Sequence, residues 1–140
     1  MTEMVPVTIS LPHLAQGDDG QADYYMVLRE TDGERRLFIG VGNSEAAALS
    51  FGVQGLQFPR PMTYQFAAAL LGAFGGTLRE VRVTSLSDEV FYAQAVLTNG
   101  ATVDARPSDA VNLAAVTGAP VFVASELLDL PTGPRQPTAT

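Results

Sequence analysis

The run Asp104-Ala105-Arg106-Pro107-Ser108-Asp109 marks a corner at which a strand hands over to a helix. Proline is favoured at the first helical position because its missing N–H would be unpaired there anyway, and it pushes the residue before it into extended geometry. The helix that opens here runs from Pro107 to about Thr117 and stops at Gly118, with Val121 to Val123 following as a short strand. Upstream of the corner, Asn99-Gly100 makes a tight turn into Thr102 to Ala105. Before that turn, Val81 and Val83, then Phe91, Ala93, Ala95 and Leu97, alternate as strands with one buried face.

A second arginine-proline step, Arg60-Pro61, reads as another helix mouth. A helix N-terminus presents free N–H donors and a partial positive charge, so an arginine beside each corner predicts a site for phosphate or carboxylate. Thr63 is expected to cap the helix after Arg60-Pro61, in which Phe66, Leu70 and Phe74 recur every four residues beside Ala67 and Leu71; the stripe reads as core, and Gly75-Gly76 ends it. Asn43 or Ser44 is expected to cap a helix carrying Glu45 in its first turn and ending near Gly55.

Toward the N-terminus, Val5 to Ser10 and Tyr24 to Arg29 read as strands separated by a Gly-Asp-rich loop around Gln16 to Gln21. Asp32-Gly33 then turns the chain into Arg36 to Val41. Glu126 to Leu130 reads as a helical end, and residues 131–140, with Pro131, Pro134 and Pro137 among polar neighbours, as a disordered tail. The succession predicts a single α+β domain over residues 1–130, a mainly antiparallel sheet with about three helices packed on it.

With 140 residues and 46% hydrophobic content, the chain is the size of one domain with an ordinary core. It has no cysteine, which excludes disulfides, thiolate metal sites and a cysteine nucleophile. No basic segment followed by an apolar one opens the sequence, and the apolar stretch near Ala67 to Phe74 is too short for a bilayer, so a soluble, cytoplasmic protein is expected. The net charge of -7 opposes broad attraction to nucleic acid. All 8 basic residues are arginine, however, the side chain that grips phosphate with a planar two-pronged donor, so a local anion site is compatible with an acidic protein.

Several stretches run in an order that resembles the bifunctional nuclease domain family. They are Leu37-Phe38-Ile39-Gly40 with Glu45-Ala46, then Gly55 and Pro59-Arg60-Pro61-Met62-Thr63, then Phe91-Tyr92-Ala93. Asp104 to Ala110 and Gly118-Ala119-Pro120-Val121-Phe122-Val123 complete the series, which covers roughly residues 24–128. The resemblance implies a small domain that acts on RNA and DNA. The family pattern usually continues after the threonine with histidine and aspartate, whereas Thr63 is followed here by Tyr64 and Gln65. That departure bears on whether the chemistry is retained.

Phosphodiester hydrolysis needs a nucleophilic water, relief of charge at the transition state and a proton for the leaving oxygen. His13 is the only histidine, which excludes a two-histidine mechanism; it reads as a surface residue. Glu45, Asp104 and Asp109 are the catalytic candidates. If they meet, they would hold Mg2+ or Mn2+, which prefer oxygen ligands, while Arg60 and Arg106 hold the scissile phosphate and Ser108 adds a hydroxyl donor. Tyr64 and Phe58, near Arg60, have faces on which a base could stack. The same groups also have a purely structural reading, in which Asp109 interacts with its own helix N-terminus and Arg106 pairs with Asp104 or Glu45 to lock two corners together. Two functions remain open: a nuclease acting on RNA and DNA, or a non-catalytic binding or regulatory domain that kept the fold. A homo-oligomer, most simply a dimer, is expected in either case.

Overall fold

Eight strands form one sheet in the computed structural model, which describes residues 2–16 and 22–134. In chain order the elements are β1 (Met4–Ile9), β2 (His13–Gln16), β3 (Ala22–Glu30), β4 (Arg36–Val41), α1 (Asn43–Val53) and α2 (Thr63–Ala73). After them come β5 (Leu78–Ser87), β6 (Val90–Leu97), β7 (Thr102–Ala105), α3 (Pro107–Thr117), β8 (Val121–Ala124) and α4 (Ser125–Leu128). The path across the sheet is β2-β3-β1-β8-β5-β6-β7, and β4 pairs with β3. Because β4 occupies one edge of β3 from Tyr24 to Arg29, β1 and β2 share the other edge. All pairings are antiparallel except β5 with β8, where Val81, Arg82 and Val83 lie beside Val121, Phe122 and Val123. The α+β class and the mainly antiparallel sheet therefore stand as expected, with the short α4 joining three longer helices.

One face of the sheet carries the core. Val81, Val83, Ala93 and Val123 are fully buried, and α3 sets Ala110, Val111 and Ala114 against them. Leu49 joins the same core from α1, which crosses α3 closely at Gly52; a Cβ added there would sit 3.2 Å from the Ala115 Cβ. Arg35 bridges Glu30 and Asp129 and also donates to Ser125, tying the β3–β4 loop to α4.

Three expectations need correction. The Phe66, Leu70 and Phe74 stripe is not core: these side chains are 55%, 49% and 94% exposed, and α2 has no buried residue. α2 turns Tyr64, Ala67, Ala68 and Leu71 toward the protein instead, and these are only half-buried. Arg60-Pro61 is not a strand-to-helix corner, since α1 precedes it, α2 follows it and the first helical residue is Thr63. The N-caps are Gly42 for α1 and Met62 for α2, neither with a side-chain cap, so Asn43, Ser44 and Thr63 do not cap. His13 is exposed, as expected, and begins β2, its ring meeting the Phe38 ring edge-on at 6.1 Å.

Residues 17–21 of the expected Gly-Asp-rich loop and residues 135–140 of the expected tail lie outside the described residues. Nearer the core, the Phe38 N–H donates to Thr132 Oγ1 at 3.0 Å. Among the described residues no helix is long and apolar enough to cross a membrane.

Candidate functional site

The corner at Arg106 forms as its sequence dictates. Arg106 is the N-cap of α3 in extended geometry (φ -66°, ψ 144°), Pro107 occupies the first turn, and Gly118 closes the helix in the left-handed region at φ 80°. Edge strand β7 delivers the chain to this point, with Ala105 paired to Ala93. The arginine is thus held at a sheet edge, beside the N-terminus of a well-buried helix.

Its guanidinium grips Asp109 with two donors, Nε to Oδ2 at 2.8 Å and Nη2 to Oδ1 at 3.1 Å. Nη2 also reaches Glu45 Oε1 at 3.5 Å, and the Tyr64 hydroxyl donates to Asp109 Oδ1 at 2.7 Å. A two-pronged, charge-assisted pair of this kind fixes orientation as well as adding energy. The Arg106 hydrogen bonds hold the Asp109 carboxyl below its ordinary value, against the upward push of partial burial, and the Tyr64 hydrogen bond helps. Burial first, then the bond to Asp109, pushes the Tyr64 phenol well above its ordinary value. Asp109, in turn, raises Arg106 further. Arg106 still keeps 66% of its side-chain surface open to solvent.

The sequence reading missed Asn112. It is 1% exposed, and its Nδ2 donates to the Glu45 carbonyl at 3.2 Å and to the Ser108 carbonyl at 2.8 Å. By joining α1 to α3 it positions Glu45 opposite Arg106, and its own Oδ1 is buried without a partner. An asparagine amid the apolar residues of the Pro107–Thr117 helix was the available signal. Gly42 matters for the same carboxylate, because a Cβ there would collide with Glu45 Oε2.

Two concavities meet at Arg106. One is a groove of about 500 Å³ between α1 and α2, in which Ala47, Phe51, Phe58, Met62 and Val116 lead up to Glu45, Tyr64 and Asp109. The Phe51 and Phe58 rings pack edge to face at 5.4 Å on its apolar side. The other, about 650 Å³, lies toward the sheet and is lined by Tyr24, Tyr25, Glu89, Phe91 and Ser108 as well as Arg106.

Of the residues singled out in the sequence, Glu45, Tyr64, Arg106 and Asp109 come together, and Ser108 lines the second concavity. Asp104 does not join them: it is exposed on β7 opposite Gln94, and strand alternation puts it on the other face from the core-packed Ala105. Arg60 lies in the exposed α1–α2 loop, over a smaller depression lined by Leu56, Phe58, Pro61 and Gln65. The two arginine corners therefore do not build one site. Nor do the residues fit Mg2+ or Mn2+: the Arg106 guanidinium stands between Glu45 and Asp109, and among the described residues no group of three or more His, Asp or Glu side chains is placed to hold a metal ion.

The profile of the bifunctional nuclease domain matches residues 26–132. An uncharacterized protein of Mycobacterium tuberculosis is 41% identical over 103 residues, which make up 74% of this chain and 63% of the relative. Bifunctional nuclease 2 of Oryza sativa subsp. japonica is 30% identical over 105 residues, 70% of this chain and 32% of that protein. Bifunctional nuclease 1 of Oryza sativa subsp. indica is 25% identical over 119 residues, 80% of this chain and 36% of that protein. The chain thus matches less than two thirds of the mycobacterial relative and about a third of each rice protein.

Proposed function

Because the chain belongs to the bifunctional nuclease domain family, we propose that it hydrolyses phosphodiester bonds in RNA and DNA at the groove beside Arg106. The observation that carries this reading is the exposed guanidinium of Arg106, held by Asp109 and facing the Glu45 carboxylate at the mouth of an apolar groove. Arg106 binds the scissile phosphate and offsets the charge that builds on its oxygens in the transition state. The adjoining nucleobase lies in the groove against Phe51 and Phe58, which suits an unpaired strand better than a duplex. Glu45 takes the proton of the attacking water as the new P–O bond forms. The bond to the leaving sugar oxygen then breaks, and that oxygen takes a proton from solvent. Asp109, Tyr64 and Asn112 are positioning residues: the first two orient Arg106 and the third sets Glu45. No step is routed through a metal ion.

A second reading, a binding domain without catalysis, is favoured by Tyr64-Gln65 in place of the family's histidine and aspartate, and by the acceptance of three hydrogen bonds by Asp109. The two are separated by incubating purified protein with labelled single-stranded RNA, single-stranded DNA and duplex DNA, with Mg2+, Mn2+ or EDTA. Cleavage is expected, strongest on single strands, and is expected to fall ~100-fold or more in a folded Arg106→Ala variant. Absence of cleavage above the variant's background, with Arg106-dependent binding retained, would overturn catalysis in favour of the binding domain.

A further inference from the structure

We propose that the concavity on the sheet side of Arg106 is a subsite for the terminal nucleoside of a single strand whose last phosphate lies on Arg106. The inference rests on the reading of Arg106 as a phosphate ligand and adds where the strand ends.

The concavity holds about 650 Å³, within the ~300–1,000 Å³ of small-molecule sites. Two helices begin at it, α1 with Gly42 and Asn43 and α3 with Pro107 and Ser108, and the N–H groups of a first turn have no partner within the helix. Ser108 is 8% exposed and lines this cavity. Its carbonyl accepts from Asn112, but among the described residues its hydroxyl takes part in no hydrogen bond. A buried hydroxyl of that kind costs free energy unless a ligand completes it. Arg106 also has donors to spare: Nε and Nη2 are engaged by Asp109 and Glu45, and Nη1 is left for a ligand. Tyr24, Tyr25 and Phe91 supply an aromatic wall against which a base and its sugar can lie.

Charge sets where the strand stops. The two exposed carboxylates of the lining, Asp23 and Glu89, belong to no ion pair among the described residues. They accept hydrogen bonds from sugar hydroxyls or base amines, whereas a second phosphate would meet two unpaired negative charges with only Arg106 to offset them. The groove between α1 and α2 differs. Its carboxylates, Glu45 and Asp109, are already paired with Arg106, and Arg60 is the single charged residue between Glu45 and Arg79. The depression lined by Arg60 shares Phe58 and Gln65 with that groove. A strand thus runs past Arg60, sets its last phosphodiester on Arg106 and ends in the concavity. Hydrolysis there, with the water oxygen added to phosphorus and a proton to the departing sugar oxygen, releases one nucleoside unit per event.

Titration calorimetry with the dinucleoside monophosphate ApA tests the subsite, using Glu45→Gln protein so that the proposed base is absent and the probe survives. Binding is expected. A phosphate added to one end of ApA should weaken it about tenfold, and a phosphate on the other end should not. Asp23→Asn combined with Glu89→Gln should abolish that penalty. Ser108→Ala should weaken ApA about fivefold without loss of stability, since the hydroxyl bonds nothing within the described protein. Failure of ApA to bind, indifference to phosphate at both ends, or a penalty that survives in the double variant would overturn the proposal. With wild-type protein, single-stranded RNA labelled at either end should shorten one unit at a time, and a closed single-stranded DNA circle should resist. Cuts within the circle would also overturn it. A protein that cleaves nothing yet shows the one-ended penalty would remove the nuclease reading and leave the subsite standing.

Discussion

Arg106 is where local sequence and tertiary structure meet, since its backbone geometry comes from Pro107 and its side-chain direction from Asp109, one turn along the same helix. Because Arg106 holds the Asp109 carboxyl below the unfolded value of ~3.9, the stability this pair contributes is present above that pH and is lost as pH falls through the lowered value. Asp109→Asn is therefore expected to cost about 1 kcal/mol at pH 7, a figure discounted for solvent exposure, and progressively less as pH falls below the ordinary carboxylate range; urea unfolding at neutral and at acid pH measures the difference. Tyr64 has the opposite sign. Its pKa lies above the unfolded value of ~10, so the folded state loses stability as pH rises beyond 10, and Tyr64→Phe should flatten that alkaline decline while costing about 1 kcal/mol at neutral pH. Gly42→Ala should displace Glu45 without unfolding α1 and, if Glu45 is the base, lower kcat more than it raises KM. The Arg106–Asp109 half of this cluster was legible from their spacing of three residues. Tyr64 and Glu45 reach it across separations of 45 and 61 residues, and Asn112 meets Glu45 across 67, which no local pattern encodes.

Among the elements, α3 and β7 were read closely from sequence because proline, glycine and an Asn-Gly turn mark their ends. The face of α2 was misread for a definite reason: Tyr64, Ala67, Ala68 and Leu71 make as good an apolar stripe as Phe66, Leu70 and Phe74, so periodicity could not choose between the two sides. The β5–β6 hairpin shows the converse. Ser87 pairs with Val90 across the two-residue loop Asp88-Glu89, and both loop residues take positive φ, 52° and 66°, without a glycine to announce the turn. Two-residue hairpin loops of this hand prefer Asn-Gly. Replacing Asp88-Glu89 with Asn-Gly is accordingly expected to stabilise the protein by about 1 kcal/mol, a rise in Tm of roughly 3–4 °C by calorimetry.

For the whole molecule, acidity and a local arginine site make opposing demands on nucleic-acid binding. If Arg106 is the main phosphate contact on this chain of net charge -7, binding of single strands should depend weakly on salt, with a slope of log K against log salt shallower than about -2; fluorescence anisotropy from low to physiological salt measures it. A steep slope would indicate many phosphate contacts and a surface other than the Arg106 groove. At this scale, composition and the order of turn signals were enough to determine one α+β domain with a mainly antiparallel sheet, because hydrophobic alternation and Gly/Pro punctuation are local properties of the chain. Only the tertiary structure decided that Asp104 faces away from Glu45 and Asp109, that Arg60 stands apart from Arg106, and that α2 is left with its aromatic face uncovered. Those outcomes depend on which surfaces meet after the strands have paired, and a linear pattern of apolar and charged residues does not specify that meeting.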